Sequence, residues 1–132
     1  MLTLFIIPSL SKNADIEKTV DSFSGIKVKY EVVSVTEWRD VNNYKNKGRW
    51  FGIFWDNESI DNDLREALPI YFMYQRMEAL ILYKKTSMTE AVWRYRFFRD
   101  SVYLGTDFCP VSLWLCKEAV LDGWVLEHEY TS

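Results

Sequence analysis

The run Leu2 to Ile7, rich in β-formers and closed by Pro8, constrains this chain most. A strand with one wet face alternates apolar and polar residues. A strand that is apolar throughout is buried on both faces, as in a parallel sheet. Ser11 or Asn13 can cap the next segment, where Ile16, Val20 and Phe23 recur at helical spacing before Gly25. Val28 to Val35 reads as a second strand. Strand, helix and strand in so short a stretch predict a βαβ unit.

The later segments extend that pattern. Glu37 to Gly48 is polar and reads as a loop, and Trp50 to Trp55 as a third, continuously apolar strand. Asp61 or Asn62 starts a helix with Leu64, Ala67, Leu68 and Tyr71 on one face. Pro69 either kinks that helix or opens a second one running to Met77. Ala79 to Tyr83 reads as a fourth strand, and Arg94 to Leu104 as one or two more around Arg99-Asp100. Val111 to Leu121 reads as a short apolar helix ended by Asp122-Gly123, and Trp124 to Glu127 as a last strand or extended tail. The expected fold is therefore α/β: one domain over 1–132, with helices on both faces of a mostly parallel central sheet and a short mixed C-terminal region.

Composition narrows the function classes. With 48% apolar and 17% aromatic residues the chain has the material for a packed core. Six Trp, eight Tyr and eight Phe are many for 132 residues, so the rings are either large core fillers or a platform for flat, sugar-like ligands. A net charge of −3 gives no overall basic balance, so neither nucleic acid nor an anionic membrane is an expected partner. Cys109 and Cys116 lack metal-ligand spacing and read as buried reduced thiols. A single histidine excludes a multi-histidine zinc site. The apolar start lacks a basic leader and a cleavage site, and no stretch approaches the roughly 20 apolar residues of a spanning helix. The expected location is the cytoplasm.

The strongest local signal for chemistry is Phe54-Trp55-Asp56-Asn57-Glu58. A buried strand ends, and two carboxylates follow two residues apart, which in extended backbone puts both on one side. The carboxyl end of a strand in an open α/β sheet is where ligands bind. Convergent carboxylates there can hold Mg²⁺ or Mn²⁺ against a diphosphate, whose charge the cation neutralises. The competing reading is a turn and helix cap, since Asp61 and Asn62 lie just downstream.

Taken in order, the segments resemble the N-terminal half of family 2 glycosyltransferases of the GT-A fold. Ile6-Ile7-Pro8-Ser9 with Asn13 is similar to that family's opening strand and turn, and Asp21-Ser22-Phe23 to the end of its first helix. Glu31 to Val35 resembles the second strand, and Trp55 to Glu58 the DXD motif. Ala79 to Lys84, Arg96 to Arg99 and Pro110-Val111 resemble later stretches. The resemblance implies a truncated GT-A, Rossmann-like domain that binds a nucleotide sugar, with a UDP-sugar as the expected ligand, and a divalent metal. Asp56 and Glu58 would hold the metal, with Asp56 also on the diphosphate. Pro8 and Ser9 would lie near the nucleoside. Glu37 would be the acidic group nearest the base.

The chain also departs from that pattern. Thr36 aligns with the family's base-reading Asp, and almost nothing after Leu121 corresponds to an acceptor-binding half. An inverting transferase needs a carboxylate base at the acceptor hydroxyl, for which Asp107 and Asp122 are the available candidates, each more readily read as a turn residue. His128 is a further candidate metal ligand by analogy with a late histidine in some GT-A enzymes. Arg96 and Arg99 could direct one side chain at phosphate, but an i, i+3 separation does not put both on one face of a regular strand. The expected activity is metal-dependent transfer of a sugar. The alternatives are a catalytically inactive binding or interaction protein of phage or viral origin, and a structural protein whose acidic turn is only a cap. Self-association could supply a missing wall of the site.

Overall fold

The computed structural model describes residues 2–44, 48–73, 76–85, 91–104 and 124–129. They form β1 (Leu2–Ile7), α1 (Ile16–Ser22), β2 (Tyr30–Ser34), a 3₁₀ helix (Trp38–Asn43), β3 (Trp50–Trp55), α2 (Asn62–Tyr71), β4 (Met77–Lys85), β5 (Ala91–Arg99) and β6 (Trp124–Glu129). The strands make one six-stranded sheet in the order β2-β1-β3-β5-β4-β6. The pairs β1–β2, β1–β3 and β4–β6 are parallel, whereas β5 runs antiparallel to both β3 and β4.

This corrects the expected mostly parallel, three-layer, GT-A or Rossmann-like fold. The sheet is mixed, and the two described α-helices pack against the same face. The cause of the reversal lies in the connection between β4 and β5, residues 86–90, which is too short for the crossover that a parallel neighbour needs. The chain skips one slot after β3 and β4 forms there. β5 then folds back into the gap between β3 and β4.

Strand alternation sorts the core into two clusters. Leu2, Leu4, Ile6, Trp50, Phe54, Leu80, Leu82, Tyr95 and Phe97 face α1 and α2, which contribute Leu64 and Leu68, with Phe23 just beyond α1. Phe5, Ile7, Phe51, Ile53, Ala79, Ile81 and Phe98 face the other way. There Val41 of the 3₁₀ helix and Val102 and Leu104 cover them, and the two covering segments are joined by paired hydrogen bonds between the Asn42 amide and the Leu104 backbone. Most of the described rings are core fillers: Phe5, Phe23, Phe51, Phe54, Tyr95, Phe97 and Phe98 are all fully buried.

Gly52 is required by that packing. A Cβ there would lie 2.9 Å from two atoms of the Phe97 ring and 3.2 Å from Leu4. Its missing side chain is what lets β5 place an aromatic ring flat over β3.

Several local expectations change. The cap of α1 is Asp15, not Ser11 or Asn13: its carboxylate accepts from the Lys18 N–H at 3.1 Å. Of the three residues at helical spacing, Phe23 turns inward, whereas Ile16 and Val20 stay exposed and Thr19 is buried. The Glu37–Gly48 loop contains the 3₁₀ helix, whose Asp40 carboxylate accepts from the N–H groups of Thr36 and Glu37. Pro69 sits inside the last turn of α2, where the helix runs on to Tyr71 and ends, and no second helix follows among the described residues before β4. β5 stops at Arg99, and 100–104 is not strand. The apolar stretch Val111 to Leu121 and both cysteines lie outside the described residues.

Candidate functional site

β1 and β3 lie side by side in parallel, in register from Leu2↔Trp50 to Ile7↔Trp55. The chain leaves β1 toward β2 on one side and leaves β3 toward β4 on the other. Connections that part in this way leave a crevice at the carboxyl ends of the two strands. A cleft of about 320 Å³ opens at that end, lined by Asn13, Asp15, Lys18, Thr19, Asp56, Asn57, Ser59 and Asp61. Its walls are the start of α1 and the connection from β3 to α2.

Asp56 is the hinge of this arrangement. Its Oδ1 accepts from the Ser9 backbone N–H at 3.0 Å and from the Ser9 hydroxyl at 2.5 Å. Its backbone joins in, since Asp56 N donates to Ile7 O and Asp15 N donates to Asp56 O. The bend after β1 is thereby tied to the turn after β3. Among the described residues, every side-chain hydrogen bond of Asp56 falls on Oδ1, leaving Oδ2 as the acceptor that can serve a ligand.

Glu58 goes elsewhere. Its Oε1 accepts from Trp55 N at 2.7 Å and from Arg96 Nη2 at 2.8 Å. It does not line the cleft. The two-residue spacing misled because the backbone there is a turn, closed by Glu58 N donating to Trp55 O. Alternation of side chains holds only in extended backbone. Among the described residues no group of three or more His, Cys, Asp or Glu side chains could hold a metal ion. The Asp56–Glu58 cradle is thus absent, and of those two only Asp56 lines the cleft, beside Asp15 and Asp61.

The other candidates scatter. Ser9 touches Asp56, while exposed Pro8 does not line the cleft. Glu37 is exposed beyond β2, at the same end of the sheet but outside the cleft. His128 sits on β6 opposite Leu82, three strand spacings from β3 and therefore roughly 14 Å away. That distance separates it from Asp56. Asp107 and Asp122 lie outside the described residues. Arg99 stacks over Trp50, 4.3 Å from the ring centroid, and donates to Met77 O at 3.0 Å. Neither Arg96 nor Arg99 faces the cleft.

Reading the sequence alone missed the α1 contribution. Asp15, Lys18 and Thr19 line the cleft, and Thr19 Oγ1 donates to Glu58 O at 2.6 Å. Thr19 is the buried residue of α1, and Thr19 and Ser22 both bond the β3–α2 connection; Ser22 Oγ accepts from Ile60 N at 3.0 Å. A polar residue on the inward face of a short helix was the available signal.

No family model matches the chain, and no curated protein matches it. Among solved structures it is similar to the crystal structure of Rv0371C in complex with manganese, from Mycobacterium tuberculosis H37Rv. The identity is 9% and the TM-score 0.58, over 99% of this chain and 88% of that one. At that identity the likeness speaks for the fold alone. No helix among the described residues is long and apolar enough to cross a membrane.

Proposed function

We propose that the chain is a glycosyltransferase-like protein that binds a nucleotide sugar, together with Mn²⁺ or Mg²⁺, in the cleft at the carboxyl ends of β1 and β3. One observation carries the reading. Asp56 stands at the point where the connections of β1 and β3 part, with one carboxylate oxygen holding Ser9 and the other available to a ligand. Such a donor set suits a hard cation that takes one protein carboxylate and completes its shell with phosphate oxygens and water. It does not suit an all-protein cage, in keeping with the lack of a three-ligand cluster among the described residues. When bound, the cation would neutralise diphosphate charge. Lys18 and Asn57 line the same cleft and supply a cation and an amide for phosphate and sugar oxygens. That Rv0371C was crystallised with manganese is consistent with the choice of metal.

Calorimetric titration with UDP and UDP-sugars, with and without MnCl₂, tests this reading. Asp56→Asn is the informative variant because its amide oxygen still accepts from Ser9. Metal-dependent binding by the wild type, lost in Asp56→Asn, is the expected result. No binding by the wild type, or equal binding by both, would overturn it.

A second reading, binding without sugar transfer, is favoured by the ion pair that removes Glu58 from the cleft. Release of UDP from a UDP-sugar by the purified protein would refute it.

A further inference from the structure

We infer that Arg96 and Glu58 are a positioning pair: from β5 they set the turn that presents Asp56 and Asn57 to the cleft. The inference rests on the ligand-binding reading above and names what keeps that site in shape.

Arg96 occupies a slot that suits a hydrophobe. Along β5, Tyr95 and Phe97 face the helices, and Arg96 and Phe98 face the opposite core. The register neighbours of Arg96 are Ile53 and Ile81, and the residue is 5% exposed. An apolar side chain there would need no partner. Buried ion pairs replaced by well-packed apolar residues commonly cost nothing, because desolvation offsets the attraction. Stability therefore gives no reason for this pair, whereas geometry does.

The ladder between β3 and β5 ends at Ile53↔Arg96, and β3 continues through Phe54 and Trp55 paired with β1 but without a β5 partner. The grip begins where the ladder stops. Arg96 Nη2 holds Glu58 Oε1 at 2.8 Å, and the same oxygen accepts from Trp55 N at 2.7 Å. The preceding residue, Tyr95, points to the opposite face of the sheet and donates its hydroxyl to Ser59 O at 2.6 Å. Two successive residues of β5 thus hold the last residue of the turn and the one after it, one from each face. Asp56 and Asn57 are the middle residues of the turn that runs from Trp55 to Glu58. Their directions are fixed by what holds its ends.

The pair acts on the ligand only through Asp56 and Asn57, which gives it a signature that a merely stabilising contact lacks. The test uses Glu58→Gln, which keeps an oxygen for Trp55 N but weakens the tie to Arg96, and Arg96→Lys, which keeps the charge. Each is compared with the wild type at a temperature where circular dichroism shows all of them folded. Without ligand, amide exchange at Asp56 to Ser59 is expected to quicken at least about tenfold in Glu58→Gln, with β1 amides unchanged. UDP with MnCl₂ is expected to bind Glu58→Gln at least about tenfold more weakly, with Arg96→Lys in between.

Quickened exchange that spreads through β1 and β3, or no change at the turn, would overturn the inference. So would wild-type affinity in folded Glu58→Gln. If the wild type itself fails to bind UDP with MnCl₂, the proposed function falls, and the exchange measurement alone still decides whether the pair sets the turn.

Discussion

In the β2-β1-β3 half of the sheet all strands run the same way, so their carboxyl ends gather at one edge, and Ser9 and Asp56 meet there. The β5–β4 pair runs antiparallel, and none of its described side chains lines the cleft. It contributes Tyr95 and Arg96, which hold the connection after β3. The polar groups available to a ligand thus come from the parallel half and the β3–α2 connection, and part of what fixes them comes from the antiparallel half. A site can depend on a strand that never touches its ligand.

The largest effect is expected where the halves join. Phe97 is fully buried, packs over Gly52, and lies 6.0 Å and 5.5 Å between ring centroids from Phe54 and Phe72. Phe97→Ala should cost about 4 kcal/mol in urea unfolding. A loss below about 1 kcal/mol would mean that the halves do not share this core. Arg96→Ala comes next, at about 3 kcal/mol, because it strands the Glu58 carboxylate, whose side chain is 15% exposed. The double change Arg96→Met with Glu58→Gln should recover most of that loss. If it does not, the pair is a stabilising contact after all.

Tyr95→Phe keeps the ring and leaves Ser59 O without its donor, at about 1–2 kcal/mol by the same measurement. The smallest change belongs to the parallel half. Asp15→Ala removes the cap of α1 and should cost about 1 kcal/mol. Measured side by side, Tyr95→Phe should quicken amide exchange in the β3–α2 turn and Asp15→Ala in α1. Exchange that quickens equally in both places would erase the distinction between the halves.

Much of the first half was legible in the residues. β1 and β3 are marked by apolar runs with no wet face, and Leu2–Ile7 and Trp50–Trp55 match their expected bounds. The βαβ pattern anticipated β1 beside β2, whereas the adjacency of β1 and β3, on which the site depends, does not follow from that pattern. The acidic stretch after β3 was correctly marked as the place where the strand ends near Ser9. The roles of its two carboxylates were not legible, because side-chain direction in a turn follows no period. Asp56 and Glu58 part because one meets Ser9 and the other Arg96, residues 47 and 38 positions away. The reversal at β5 was also missed, although the five residues between β4 and β5 are too few for a parallel crossover.

The sequence by itself determined where the strands fall, that their interiors are buried, and that an acidic turn follows the third. Those properties depend on the local order of apolar and polar groups, and desolvation enforces them wherever the chain packs. Only the tertiary structure decided which strand neighbours which, that β5 enters between β3 and β4, and that the charge of Glu58 is spent on an arginine rather than offered to the cleft. Those outcomes depend on partners brought together across tens of residues, and a buried charge takes whichever opposite charge the packing places within reach.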